Sequence, residues 1–532
     1  MNIAFARLRT AALAGAFVLA GTLAAQAEVV FHRGNGAEPE TLDPHKLTGI
    51  TEANITYDLF EGLVTMDPHG QETPGAAESW TVSDDGLVYT FNLRKDGKWS
   101  NGEPVTADDV VYSFRRLVDP ATAADYGYIL APVTNADQIN SGELKDVTQL
   151  GVEAVDQYTV KVTLKASTPY FTGILAHSSC QIVNKAAIDK FGDTWTRPGN
   201  SVSNGAYTVA EWVPQSKLVL KKNPNFHDAA NVKIDTVVYY PTEDLDEEYK
   251  RFQAGELDFT YDVPSERIKA AAAEMPKEFH NAPYFGTYFY GINMTKEPLS
   301  TNLALRKALM LAVNREVLTD KITQGGEQPA YAWVPPGVPG YEQQKIEGAD
   351  MTQEERNELA KKYYAEAGYS ESNPYKVEIL YNTSENHKKI AVAIASMWKQ
   401  TLGVDATLKN EEWKVYLDTR EQKQYQLARM AWIGDYLDPS NFMEQHTQYA
   451  GTQNDLGYNN ATFDGDLRKA QVTPENGERM KILEAAEKTF LTDVPIIPIY
   501  HYTNQHLVST KITGYYDNLL GWNLTRYMAK AE

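Results

Sequence analysis

The residues that could do chemistry are few, and their spacing argues against most of it. Asp108-Asp109 and Glu411-Glu412 are paired carboxylates, the groups that general acid–base hydrolysis uses. Neighbouring residues point to different sides of a helix or strand, so such pairs more often mark a solvated face than an acid/base dyad. His501 and His506 are not at the i, i+4 spacing that brings two imidazoles onto one helical face for a metal ion. Cys180 is the only cysteine, which excludes both a C-x-x-C site and an intramolecular disulfide and suggests a buried small apolar residue. Gly34-x-Gly36 begins like a dinucleotide fingerprint, but Pro39 stands where the third glycine belongs. H-E-x-x-H, G-x-S-x-G and G-x-x-x-x-G-K motifs are absent from the sequence. The chain reads as a binding protein without a cofactor rather than as an enzyme. Its 32 tyrosines and 9 tryptophans suit that role, since they offer large rigid contact surfaces with a polar tip.

The elements that must position any site alternate between strand-like and helix-like patterns, without linkers or repeats. Tyr89–Leu93 alternates with period two, Ala107-Asp108-Asp109 opens a helix through Val118, and Tyr158–Leu164 is a second alternating strand. Ala304–Ile322 reads as one long helix. Thr352-x-x-Glu355 is a capping box for a helix ending at Gly368. Val377–Tyr381, Ser384–Gln400 and Val404–Lys409 then form a β-α-β unit. Open α/β sheets hold ligands beyond the carboxyl ends of such strands, which puts residues 382–387 at a binding edge.

The first 27 residues predict export. Arg7 and Arg9 precede an apolar run, 11–23, that ends in Ala25-Gln26-Ala27, the n-region, h-region and A-x-A cleavage site of a signal peptide. The run is short for a membrane span, and no cysteine at the cleavage point offers a lipid anchor. The expectation is a free periplasmic protein beginning at Glu28. Its removal takes two arginines from a chain of net charge −21, an acidity that makes nucleic acid a poor partner. What remains is long enough for roughly three domains.

Six segments carry a resemblance: Thr41-Leu42-Asp43-Pro44-His45-Lys46, Asp58-Leu59-Phe60-Glu61-Gly62-Leu63, Lys98-Trp99-Ser100-Asn101-Gly102 with Pro104–Asp109, Asn204-Gly205-Ala206-Tyr207, Leu380-Tyr381-Asn382-Thr383-Ser384 and Thr525-Arg526-Tyr527-Met528. In order and spacing these resemble the family-5 substrate-binding proteins of ABC importers, most closely the oligopeptide-binding members. The resemblance implies an α/β, bilobal periplasmic-binding-protein fold (type II, cluster C-like) with an extra domain and a hinge between lobes. It divides the chain into a signal peptide (1–27), a first lobe from residues 28–60, 185–285 and 503–532, an extra domain of that lobe (61–184) and a second lobe (286–502). It implies oligopeptides as ligands, a membrane permease with a cytoplasmic ATPase as partner, and a monomer.

Carried over position by position, the resemblance makes Asp435 the partner of a peptide's ammonium group. Arg429, Arg420 and His387 become partners of the carboxylate for peptides of different length. His387 has independent support, since it falls in the first turn of the predicted Ser384 helix, where free N–H groups favour an anion. Tyr126, Trp413, Trp432 and Tyr502 are expected to line the pocket, Asn454 to add a polar lining group, and Ile50 to lie in the segment that pairs with peptide backbone. Three departures stand out. Gly286 and Ile433 occupy the positions of the family member's disulfide, Thr48 replaces an acidic pocket residue, and Thr323 replaces a lysine. The alternatives are the same scaffold holding an opine, glutathione, haem or a nickel chelate, a chaperone-like binder of unfolded segments, or, more remotely, a secreted hydrolase.

Overall fold

The computed structural model describes residues 28–473 and 475–531, so the expected signal peptide lies outside the described residues. Three larger sheets organise the chain. The first has the order Val30–Gly34, Thr236–Tyr240, Lys217–Lys222, Tyr207–Val213, its first pair parallel and the others antiparallel. The second is wholly antiparallel, Ala77–Val82, Val88–Leu93, Thr159–Thr163, Val152–Asp156. The third runs Gln328–Pro329, Ile496–Leu507, Phe279–Ile292, Leu427–Ile433, Lys376–Asn382, Asp405–Glu411, antiparallel until its last two neighbours, which are parallel. Phe31, Leu59, Trp195 and Tyr207 belong to one apolar core under the first sheet, while the buried residues of the second and third sheets touch continuously. The result is a bilobal α/β molecule.

Local chemistry explains most element ends. The helix Ala107–Val118 starts where the Asp109 carboxylate accepts the Thr106 N–H (2.8 Å), and Gln353–Glu366 starts where Glu355 and Thr352 cap one another reciprocally. Lys376–Asn382, the helix Glu385–Leu402 and Asp405–Glu411 form the expected β-α-β unit, with Gly403 ending the helix at φ +75°.

The expected long helix 304–322 is interrupted. Leu303–Leu311 is helical, the chain breaks at residues 312–314, and Arg315–Val317 runs into a wider π turn at Leu318–Thr323. Asn314 causes the restart, its side chain accepting the Val317 N–H (3.0 Å). Fully buried Arg315 then donates to the carbonyls of Pro498 and Val313, which a continuous helix would not offer together.

Two long strands, Phe279–Ile292 and Ile496–Leu507, pass between the lobes. Their ladder pairs Phe279–Pro283 with Leu507–Thr503, breaks, and resumes at Thr287 and His501. Next to the halves before the break, Phe259 bridges both Arg33 of the first sheet and Val508. Pro283, which has no N–H to give a ladder, stands at the break.

Candidate binding cleft

Between the lobes lies a cavity of about 860 Å³. The strand Leu427–Ile433 and the turn after it deliver side chains to it. Arg429 sits on the strand, and Asp435 follows it by way of Gly434, where a Cβ would come within 2.2 Å of the Phe285 ring. Only glycine lets the chain turn so closely past that ring.

Asp435 is held from both sides. Its Oδ2 accepts from Asn441 Nδ2 (2.8 Å), its own N–H donates to Asn441 Oδ1 (2.9 Å), and Trp432 Nε1–H donates to the same oxygen (3.0 Å). Its Oδ1 lies 3.1 Å from His177 Nε2, both side chains being about nine-tenths buried. The His177 ring packs on Tyr126 with centroids 4.6 Å apart, and Tyr126 stacks in turn near Trp432 at 6.2 Å. A carboxylate accepts about four hydrogen bonds, so this one retains free acceptor capacity.

Arg429 is a different case. It is 8% exposed, its Nη2 donates to Tyr502 Oη (2.9 Å) and its Nη1 to Asn382 Oδ1 (3.4 Å), while its guanidinium lies 4.8 Å from the centre of the Tyr288 ring. Its Nε–H has no partner, and among the described residues it forms no ion pair within 4.0 Å. A buried cation held only by neutral groups retains a strong preference for an anion.

The other two expected carboxylate partners differ from Arg429 and from each other. Arg420, on the helix Trp413–Glu421, is already paired with Asp455, so it is not a free cation. His387 sits in the first turn of Glu385–Leu402, where Ser384 caps its N–H, and its Nδ1 is 3.5 Å from Tyr288 Oη. Burial, reinforced by Arg429, holds its pKa well below the usual histidine range. It is a neutral imidazole at pH 7, able to offer or accept a hydrogen bond but no charge.

Trp413, Trp432, Tyr126 and Tyr502 all line the cavity. Ile50 lines it too, but as the first residue of the helix Ile50–Leu59 rather than in an extended segment. Asn454 does not line the cleft. Its amide is spent inside a turn, donating to Thr447 O and Tyr458 O and accepting from Tyr458 N. Gly286 and Ile433 are direct cross-strand partners, and the Ile433 side chain fills the space a Gly286 Cβ would need. Thr48 and Thr323 reach the cavity, the latter donating to Glu327 (2.8 Å).

Sequence reasoning missed His177 and Asn441, which orient Asp435, and two acids of the wall, Asp262 and Glu327. Burial, with Glu327 nearby, raises Asp262 to about 7. Cys180 is buried, its thiol pushed up by burial. Among the described residues no group of His, Cys, Asp or Glu is placed to hold a metal ion.

A cleft between two lobes, lined by aromatic rings together with Asp435, Arg429 and His387, defines a ligand-enclosing binding protein. The family model "Bacterial extracellular solute-binding proteins, family 5 Middle" matches residues 71–454, and the chain belongs to that family. The periplasmic oligopeptide-binding protein OppA of Escherichia coli (strain K12) is 41% identical over 486 residues, covering 91% of this chain and 89% of that one. The crystal structure of Haemophilus influenzae OppA in complex with RPPGFSPFR superposes with a TM-score of 0.92 at 37% identity, covering 95% of this chain and all of that one. The unliganded open form of the murein tripeptide-binding protein MppA gives only 0.65 at the same 37% identity, covering 95% of this chain and 98% of that one. The lobes here therefore stand as in the peptide complex rather than as in the open form.

Proposed function

We propose that this chain is the periplasmic solute-binding component of an ABC importer, capturing oligopeptides between its lobes and handing them to a membrane permease driven by a cytoplasmic ATPase. It acts as a monomer, without covalent chemistry, and in the mature form it begins at Glu28. The observation that carries this reading is that one chain segment brings both Arg429, on the strand Leu427–Ile433, and Asp435, just past its end, to the cleft. Six steps along the chain separate them by at most about 20 Å. Allowing for the reach of the two side chains inward, that admits an extended peptide of up to roughly five residues at about 3.3–3.6 Å each. An ammonium at Asp435 and a carboxylate at Arg429 would each meet a buried opposite charge, while the peptide's side chains enter the aromatic-walled cavity. The lobes turn about the break between Pro283 and Thr287, so 285/286 and 502/503 mark the crossings between them. An opine or glutathione also carries ammonium and carboxylate groups, but a nickel chelate or haem would leave Asp435 without a cation.

Native mass spectrometry of the protein as purified tests the reading. A ladder of heterogeneous peptide masses is the expected result. One discrete non-peptide mass would overturn it in favour of a dedicated solute.

A further inference from the structure

His177 is part of the chain segment that carries the wholly antiparallel sheet, between the helix Phe171–Ala176 and the turn Ser178–Cys180. Asp435 follows a central strand of the six-stranded sheet. Their contact therefore joins opposite walls of the cleft. The Ser179 N–H donates to His177 Nδ1 (3.3 Å), which leaves the ring proton on Nε2, facing Asp435 Oδ1 at 3.1 Å. The ring is fixed a second time by Tyr126, and the path closes through Trp432 and Asn441 back to the other carboxylate oxygen. Four side chains from two walls form one circuit around the Asp435 carboxylate.

We infer that His177 is a positioning residue for the amine anchor, orienting Asp435 from the opposite wall only when the lobes have closed. One Asp435 oxygen is held by Asn441 within its own lobe whatever the state of the cleft. The other is held by His177 across it. With both in place the rotamer is locked, and the free acceptor directions point where an ammonium must sit. With the lobes apart the His177 bond is lost and the carboxylate is free to turn about one oxygen. Strong amine binding and closure thus depend on each other, although His177 acts through Asp435 rather than on the ligand. This rests on the reading of Asp435 as the amine anchor.

The test uses the full mature chain and two probes, tetra-alanine and N-acetyl-tetra-alanine, with affinities from competition against a fluorescent peptide. His177→Phe keeps a ring against Tyr126 but removes the N–H, and His177→Gln restores a donor. A hydrogen bond to a charged group predicts that His177→Phe weakens tetra-alanine by about 10- to 100-fold. The same variant should change N-acetyl-tetra-alanine by less than about threefold, since that peptide has no ammonium for a misoriented carboxylate to miss. His177→Gln should recover most of the loss. Equal losses for both peptides, or full tetra-alanine affinity in His177→Phe, would overturn the inference. Asp435→Ala measured beside them separates the two ideas. If it treats both peptides alike, the amine-anchor reading fails and takes the inference with it; if it discriminates while His177→Phe does not, only the role of His177 falls.

Discussion

Replacing Arg429 by methionine should move stability and affinity in opposite directions. Arg429 is 8% exposed; its guanidinium holds two neutral hydrogen-bond acceptors and an aromatic face, keeps an unpartnered Nε–H and, among the described residues, pairs with no carboxylate within 4.0 Å. Keeping such a charge out of water without a counter-ion works against folding, and exchanging buried ions for apolar groups of similar volume is often neutral or stabilising by about 1–4 kcal/mol. Methionine fills much the same volume against Tyr288. The ligand-free variant should therefore melt at or above the wild-type temperature. The bound peptide, by contrast, loses the partner of its carboxylate, for which truncating one side of a desolvated pair costs about 2–5 kcal/mol, a drop of roughly 30- to 5,000-fold. Differential scanning calorimetry of the empty protein and titration calorimetry with tetra-alanine read the two effects separately. A variant that melts several degrees lower yet binds as the wild type would refute the reasoning, because Arg429 would then be a structural cation rather than a ligand partner.

Arg420 should behave otherwise. Its charge is met by Asp455, so Arg420→Ala is expected to cost stability and to weaken short peptides far less than Arg429→Met, which thermal melts and titrations on the two variants compare directly. Glu248 predicts a pH effect. Burial raises its carboxyl from 4.5 to about 8, so the folded state holds a proton that the unfolded chain releases, and stability should fall as pH rises through that window. Glu248→Gln should remove this slope, adding at most about 5 kcal/mol at pH 8 and nothing near pH 4; urea melts across the range check it. Gly286 and Ile433 are opposite each other beside the Gly434 N–H to Phe285 O bond, which makes them a non-hydrogen-bonded pair of the close kind that a disulfide fits. The double variant Gly286→Cys, Ile433→Cys should oxidise readily and gain about 2–4 kcal/mol, lost again on reduction; free thiols after oxidation would show the pair to be misjudged.

The sheet-and-helix framework of residues 376–411 was legible because pattern and caps agree there: Ser384 begins the helix, Gly403 ends it, and a short strand-like run stands on either side. The interruption at 312–314 was not, because the apolar pattern runs through it and only a tertiary fact, the carbonyls that Arg315 reaches, rewards the break. At the site, resemblance brought Asp435, Arg429 and the aromatic residues to one cavity, and it could not distinguish their electrical states. Whether Arg420 is free or paired, and whether His387 is charged, depends on Asp455 and on burial, neither of which lies nearby in sequence. Asn454 was misplaced for a similar reason, since a turn claims its amide before the cleft can. His177 is 258 residues from Asp435 along the chain, and nothing local announces their meeting.

The first lobe is closed by the end of the chain. Arg526 pairs with buried Glu61, the Thr525 N–H caps Asp58, Arg33 donates to the Asn523 carbonyl and Lys530 to that of Val30. A growing chain cannot finish this lobe until residues 523–530 have emerged, however early its first strands are made. Until then Glu61 faces the interior without its arginine and the Val30–Gly34 strand lacks its final clamps. The lobe that holds the first strand of the described chain is thus the one that waits longest for its last contacts, since residues 523–530 supply them. A fold completed by its tail carries its own timer.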